Sequence, residues 1–281
     1  SSVVGPFAVD EGLVTAPDGE AVVRVYNTNT DKVFESRFAV VDGIAKTQGD
    51  FVIPGVAGSG ARIKLDFLDP AGSRTGALLP SGQMNDLITL ADGTEIEVSC
   101  IDATTPCVFA AATDLGLTAT ELPSDLETMG DTLVRLEEIR ALAGVRMGLG
   151  ATAGAISASS RASPRVAVVG PPADMPLLDG RTLAAGAMDL SVRMISMGQP
   201  HRAVPLTGGM CLAVAINLEG SLVHRLARPG ASGDIRLGTP SGAIPIGAKV
   251  HSAGLDSTVE RITTYRTTRR LMVGQVLLPE L

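Results

Sequence analysis

The segment PHRAVPLTGGMCLAVA, residues 200–215, places side chains that can do chemistry directly ahead of an apolar run. These side chains and glycines are His201, Arg202, Thr207, Gly208, Gly209 and Cys211. A cysteine at a helix start could act as a nucleophile or a base, because the helix end lowers its pKa. Cys211 has apolar neighbours on both sides, however, and this context favours a buried packing thiol.

The Thr-Gly-Gly sequence at 207–209 predicts a helix N-terminus that binds an anion. Glycines let a ligand approach the backbone, and the unpaired N–H groups and the helix dipole favour a carboxylate or a phosphate. Thr207 could cap the helix or bind the ligand, while His201 and Arg202 could supply a donor and a positive charge. The alternative is an ordinary Thr-capped helix whose arginine faces solvent.

Two polar turns could contribute to the same site. NTNT at residues 27–30 and TPSG at residues 239–242 occupy equivalent ends of two similar segments. Turn chemistry alone explains both, but two such loops facing each other would line a cleft. The candidate binding residues of these turns are Asn27, Thr28, Ser241 and Gly242.

The two similar segments indicate an internal duplication. Each runs through an apolar helix, Glu-Gly, Leu-Val, a linker, and an arginine at a strand start. The matched residues are Glu11 with Glu219, Gly12 with Gly220, and Arg24 with Arg236. The first copy opens at Ser1 inside an apolar helical pattern with no cap, so we expect sequence upstream to be missing.

Composition excludes several classes of protein. The 281 residues carry a net charge of −7 without a Lys/Arg block, which argues against nucleic acid and anionic membranes as partners. Three cysteines without a C-x-x-C motif, and three scattered histidines, argue against a disulfide framework and a metal site. Hydrophobic residues make up 45%, enough for a large core. The simplest localisation is a reducing cytoplasm.

The clearest helix is predicted within residues 120–148. Asp131 or Thr132 could cap it. Its apolar stripe comprises Leu133, Leu136, Ile139, Leu142 and Val145. The small, polar segment at 151–164 is predicted to be a loop, and the segments at 164–172 and 189–197 are predicted to be buried strands.

Several long segments resemble the PrpF-type isomerases. They include VGPFAVDEGLV, VRVYNTNT, GDFVIPGVAGSGARIKLDFLDPAGSRTGALLPSG, SVRMISMGQPHRAVPLTGGMC and TYRTTRRLMVGQV. The resemblance covers essentially the whole chain. It implies an α/β (α+β) fold like that of diaminopimelate epimerase, in which two pseudo-repeated lobes of curved sheet each surround a central helix. We expect residues 1–98 to be the remainder of the first lobe and 99–281 to be the second, with the C-terminal strand able to return to the first.

The family includes 2-methylaconitate isomerases and 4-oxalomesaconate tautomerases, so the resemblance implies double-bond isomerisation without a cofactor. The catalytic lysine and cysteine of the family lie in T-S-K-V-like and N-C-G-N-like motifs, and neither motif occurs in this sequence. We therefore expect both groups upstream of Ser1 and assign no catalytic residue here. Ala77 and Thr239 stand where the family often has a lysine and a histidine, which puts the substrate identity in doubt.

The resulting hypothesis is an isomerase of a small anionic carboxylate such as methylaconitate, oxalomesaconate or aconitate. It has no metal, nucleic-acid or membrane partner, and a homodimer is one option for its assembly. A non-catalytic carboxylate-binding relative is the main alternative. An amino-acid epimerase or racemase is the third; it would need two opposed cysteines at glycine-flanked helix starts.

Overall fold

The computed structural model describes residues 2–28, 30–159, 162–230, 233–274 and 276–277. Its helices are α1 Val4–Asp10, α2 Pro123–Thr128, α3 Gly130–Arg146, α4 Ala153–Ser159, α5 Leu206–Asn217 and α6 Leu222–Leu226. The strands are β1 Gly19–Asn27, β2 Lys32–Val41, β3 Ile44–Ala45, β4 Ile63–Leu68, β5 Asp86–Thr89, β6 Glu95–Asp102, β7 Pro106–Ala111, β8 Arg165–Gly170, β9 Met175–Pro176, β10 Thr182–Leu183, β11 Leu190–Ser196, β12 Gln199–Pro200, β13 Ile235–Thr239, β14 Gly242–His251 and β15 Thr258–Arg266.

The described residues form two compact units. Unit 1 comprises the described parts of Ser1–Val25, Glu35–Leu65 and Tyr265–Leu281, and unit 2 those of Tyr26–Phe34 and Asp66–Thr264. These bounds differ from the predicted lobes 1–98 and 99–281, which stay a prediction.

Unit 2 is built on a mixed sheet with the strand order β15-β14-β13-β11-β8-β7-β6-β5. The β7–β8 and β11–β13 pairs are parallel, and the neighbouring pairs β6–β7, β8–β11 and β13–β14 are antiparallel. The buried strands predicted within 164–172 and 189–197 are β8 and β11, so both predictions are confirmed.

Both faces of this sheet are buried. Along β6–β8, alternate side chains enter two different apolar clusters, as the two-residue period of a strand requires. One cluster surrounds α5 and contains Ile101, Cys107 and Phe109. The other lies under α3 and contains Cys100 and Val108. Burial on two faces explains why these strands read as continuous apolar runs.

The helix predicted within residues 120–148 exists as α3, Gly130–Arg146, but its predicted cap is wrong. Leu136 and Ile139 are fully buried, and Leu133 and Leu142 pack against their cluster. The helix begins at Gly130 after Met129, without a side-chain hydrogen bond at its N-cap. Asp131 and Thr132 therefore lie inside the first turn, where a capping side chain cannot reach back to the start.

The predicted loop at 151–164 is also wrong in part. Residues Ala153–Ser159 form α4, and Ile156 packs against Gly144 and Gly150, where an added Cβ would lie 2.7 and 2.8 Å from its side chain. Ser160 and Arg161 lie outside the described residues. Tertiary packing of one isoleucine therefore stabilises a helix that the small, polar composition does not indicate.

Unit 1 contains α1, with β1, β2 and the first half of β4 side by side. Gly12 follows the last turn of α1 with a φ of +68°, as expected for a helix end that needs a left-handed residue. The buried side of α1 is formed by Gly5, Pro6 and Val9. The apolar face of the sequence pattern, which includes Val4 and Phe7, is exposed instead.

In the part of the chain that the structure describes, no helix combines the length and apolar character needed to cross a membrane.

Candidate functional site

A cavity of about 90 Å³ lies within unit 2. Its lining comes from the tip of the β1–β2 hairpin, the end of β4 and the loop after it, the β6–β7 turn and the first turn of α5. The lining residues are Asn27, Thr30, Lys32, Val33, Phe34, Phe67, Leu68, Pro70, Ser73, Thr104, Thr207 and Met210. Two predicted site residues, Asn27 and Thr207, therefore meet at one cavity.

The first turn of α5 contributes Thr207 to the lining of this cavity. The helix begins at Leu206, so the N–H groups of Leu206, Thr207 and Gly208 have no carbonyl partner within the helix. Together with the helix dipole they favour a negative group. Pro205 is the N-cap residue, and no side-chain hydrogen bond caps the helix. The prediction that Thr207 could cap the helix is therefore wrong.

Lys32 adds a positive charge to the lining. Its Nζ lies 3.1 Å from Oδ2 of Asp69, whose side chain is 82% exposed. An ion pair with such an exposed carboxylate contributes about 0–1 kcal/mol. The partnership is weak enough for the ammonium group to attract a ligand carboxylate as well.

An apolar wall faces these polar groups. The rings of Phe34 and Phe67 stack with their centroids 5.4 Å apart and an interplanar angle of 28°. Both rings line the cavity, together with Val33, Leu68 and Met210. A cavity with a few convergent polar groups on an apolar lining suits a small organic anion.

The loop at residues 70–78 is shaped by one buried carboxylate. Asp102 is fully buried and accepts hydrogen bonds from Ser73 Oγ at 2.6 Å, from the backbone N–H groups of Arg74 and Thr75 at 2.8 Å, and from Thr75 Oγ1 at 2.9 Å. Hydrogen bonds to an ionised acceptor are among the strong ones. Asp102 therefore fixes the loop that presents Ser73 to the cavity.

The other predicted site residues form a second group. Ser241 Oγ donates to the carbonyl of Arg202 at 2.7 Å, which joins the TPSG turn to the loop before α5. Gly242 begins β14, and Thr239 is buried with its hydroxyl donating to the carbonyl of Gly242. None of these residues lines the cavity described above. Their role in binding stays a prediction.

His201 is half-buried in this second group. Its Nδ1 accepts the backbone N–H of Ala203 at 3.0 Å. Burial is the largest cause that lowers the pKa of His201, and the positive charge of Arg165 lowers the pKa further. Arg165 itself donates to Ser196 Oγ at 2.9 Å.

Gly208 and Gly209 have a packing role that the sequence does not reveal. A Cβ at Gly208 would lie within 2.8 Å of two Met194 side-chain atoms, and one at Gly209 would lie 2.9 Å from Ile246 Cδ1. Both glycines are buried. They let α5 pack closely on the sheet, and approach by a ligand to their backbone stays a prediction.

Of the two candidate residues in the β1–β2 turn, one lines the cavity and the other does not. Asn27 lines the cavity, while Thr28 is exposed and does not line it. Asn29 lies outside the described residues. The position of Thr28 therefore does not test its binding role, which stays a prediction.

The three cysteines are packing residues, as the sequence predicts for Cys211. Cys100, Cys107 and Cys211 are free thiols and fully buried. Cys211 Sγ donates to the carbonyl of Ile101 at 3.4 Å, and burial raises its pKa well above the ordinary value. Among the described residues, no group of three or more His, Cys, Asp or Glu is placed to hold a metal ion.

Sequence reasoning missed most of this lining. Lys32, Phe34, Phe67, Ser73 and Thr104 are isolated residues of common types, and only the fold brings them together. Ser73 carried one signal, since it lies in the DPAGSRTG part of a segment that resembles the PrpF family.

Comparison with known proteins decides the family. The model for PrpF protein matches residues 1–279. The chain belongs to the PrpF family. It is 37% identical over 278 residues to the 3-methylitaconate isomerase of Eubacterium barkeri, with 98% of this chain and 72% of the relative covered. It is 32% identical over 287 residues to the 2-methyl-aconitate isomerase of Shewanella oneidensis (strain ATCC 700550 / JCM 31522 / CIP 106686 / LMG 19005 / NCIMB 14063 / MR-1), with 100% and 72% covered.

A solved structure agrees with this membership. The crystal structure of a methylitaconate-delta-isomerase matches with a TM-score of 0.86 and 35% identity, covering 95% of this chain and 69% of that one. The predicted α+β class is confirmed, whereas the diaminopimelate epimerase-like arrangement of two pseudo-repeated lobes stays a prediction. This PrpF chain is an isomerase by class, as its relatives are.

Proposed function

We propose that this PrpF protein binds a small unsaturated di- or tricarboxylate in the unit 2 cavity, for moving or rotating its double bond. One observation carries the proposal: Thr207 in the first turn of α5, Lys32 and the stacked Phe34 and Phe67 line the same cavity. The names of the relatives, 3-methylitaconate and 2-methyl-aconitate isomerases, support a ligand of this class. Oxalomesaconate and aconitate belong to the same class.

The chemistry needs charge stabilisation at the carboxylate. To shift the double bond, a base removes a proton from a carbon next to the activated alkene, and an acid returns one at another carbon. No atom is gained or lost, so acid–base groups are sufficient and we propose no cofactor. In the intermediate, negative charge spreads onto the carboxylate oxygens, where the N–H groups of α5 and Lys32 stabilise it.

This chain's part in the proposal is binding and orientation. The α5 N-terminus and Lys32 hold a carboxylate, and the stacked rings of Phe34 and Phe67 hold the carbon skeleton and exclude water. We assign proton transfer to no residue of this chain, because the family's T-S-K-V-like and N-C-G-N-like motifs do not occur in it.

A carboxylate-binding protein without turnover is the second candidate. All three thiols are buried, and no described residue of the cavity lining is a cysteine. The same observation counts against the amino-acid epimerase alternative, which needs two thiols at the substrate.

The test is calorimetric titration of the 281-residue chain with cis-aconitate, 2-methylaconitate and 3-methylitaconate. Tricarballylate, the saturated analogue, serves as the control for the double bond. We expect all three unsaturated acids to bind. Because 3-methylitaconate is a dicarboxylate, it tests whether two carboxylates are sufficient for binding. Proton NMR in D₂O then follows the exchange of carbon-bound protons. Exchange by this chain would show that it carries acid–base groups of its own, contrary to the assignment above, whereas binding without exchange agrees with a role in binding and orientation. Absence of binding by every acid contradicts both.

A further inference from the structure

Thr104 has a backbone conformation that its side chain disfavours. It lies in the turn between β6 and β7 and has a φ of +69°. The left-handed region is uncommon for any residue with a Cβ and especially for a β-branched one. Such conformations persist only where the surroundings enforce them, and they cluster at ligand sites. Thr104 lines the cavity of unit 2, so its strained backbone lies at the candidate ligand site.

The hydroxyl of Thr104 contacts the peptide group at the start of α5. Thr104 Oγ1 donates a hydrogen bond to the carbonyl oxygen of Thr207 at 3.0 Å. That carbonyl shares its peptide unit with the N–H of Gly208, which is among the open N–H groups of the helix start. A hydrogen bond accepted by a carbonyl polarises the N–H of the same peptide and strengthens it as a donor.

The same turn also forms hydrogen bonds to the loop after β4, which contributes to the cavity lining. The N–H of Thr104 donates to the carbonyl of Pro70 at 2.8 Å, and Asp102, two residues earlier, holds the loop with Ser73. Pro70 and Ser73 both line the cavity. The turn at 102–104 is therefore bonded to both polar sides of the cavity at once.

We propose that Thr104 is a positioning residue of the carboxylate site. Its hydroxyl fixes and polarises the Thr207–Gly208 peptide, so that the first turn of α5, whose Thr207 lines the cavity, is held at a set distance from the Ser73 loop. The left-handed backbone at Thr104 is what brings the hydroxyl to the Thr207 carbonyl. This role rests on the proposed function.

The test compares Thr104→Val with Thr104→Ser. Valine keeps the shape and the β-branching of threonine and removes only the hydroxyl, whereas serine keeps the donor. Thr105→Val is the matched control, because Thr105 is the next residue and does not line the cavity. For each variant the affinity for cis-aconitate is measured by calorimetry, the melting temperature by circular dichroism, and the Gly208 amide shift by ¹⁵N NMR.

We expect Thr104→Val to bind cis-aconitate about tenfold more weakly, with a melting temperature within about 4 °C of wild type and an upfield Gly208 amide proton. Thr104→Ser is expected to restore both affinity and amide shift, and Thr105→Val to change neither. Equal affinity of wild type and Thr104→Val overturns the role of Thr104 alone. So does equal loss in the serine variant. A wild-type protein that binds no carboxylate overturns the proposed function itself.

Discussion

The half-buried imidazole of His201 gives one of the predicted site residues a charge that depends on pH. Its Nδ1 accepts the Ala203 N–H, so the proton of the neutral ring resides on Nε2, where it can donate. Burial is the largest cause of its lowered pKa, followed among the lowering effects by the nearby Arg165 charge. The neutral ring is therefore the stable form in the folded protein near pH 7.

This shift has a consequence for stability. A histidine whose pKa is lower in the folded than in the unfolded chain contributes stability that is present above about pH 6.5 and lost as the pH falls through the folded-state pKa. We expect His201→Gln to flatten the fall in melting temperature between about pH 7 and pH 5. Thermal scans across this range measure it. An unchanged acid-side slope in the variant contradicts the assigned burial of the ring.

At the scale of the element, α5 is the helix on which the candidate site depends. Its glycines allow close packing on the sheet, since a Cβ at Gly209 would lie 2.9 Å from Ile246 Cδ1 and 3.2 Å from Val204 Cγ1. Both neighbours are β-branched and stiff at χ1. A methyl group added there therefore requires Ile246 or the helix to shift.

We expect Gly209→Ala to lower the free energy of unfolding by about 1–3 kcal/mol, despite the better helix propensity of alanine. Urea unfolding measures the change. Gly154→Ala in α4 is the matched control, because no atom lies within 4 Å of its added Cβ. That variant should gain up to about 1 kcal/mol. A Gly209→Ala protein as stable as wild type would contradict the tight packing of α5.

The sequence predicts elements where the periodic signal is long, and misses those that packing decides. The stripe of α3 and the apolar strands β8 and β11 are readable because burial imposes their period. Helix α4 is not readable, because a single isoleucine stabilises it through contacts distant from its own composition. The caps predicted for α3 and α5 are wrong, because neither helix has a side-chain hydrogen bond at its N-cap.

The candidate site divides in the same way. The T-G-G sequence correctly predicts a helix start, because small residues followed by an apolar run are a local signal. The partners across the cavity, Lys32, Phe67 and Thr104, could not be predicted, since only the sheet topology brings them to Thr207. Ser241 Oγ donates to the carbonyl of Arg202 in the loop before α5, but His201, Arg202 and Ser241 do not line the cavity, and their binding role stays a prediction.

At the scale of the whole molecule, the two units differ in their cores. The two large clusters of buried apolar side chains both belong to unit 2, where they cover the two faces of its sheet. Described residues of unit 1 expose several large apolar side chains, among them Phe7, Val52 and Val56. Regions with fewer buried contacts open more easily.

We therefore expect amide hydrogens of β1–β3 to exchange faster than those of β6–β8 in the native protein. Hydrogen–deuterium exchange followed by mass spectrometry resolves the two sets of peptides. Equal protection of both sets would show that the molecule opens as a single cooperative unit, contrary to this expectation.

The central claim is that the carboxylate binds in the cavity of unit 2, and the affinity of a Lys32 variant tests it most directly. Lys32→Met keeps the length of the side chain and removes its charge, while Lys249→Met removes a lysine that pairs with Glu260 at 2.6 Å and does not line the cavity. By calorimetry with cis-aconitate, we predict about tenfold weaker binding for Lys32→Met, about 1.4 kcal/mol, and wild-type binding for Lys249→Met. Equal affinity in all three proteins would contradict the account.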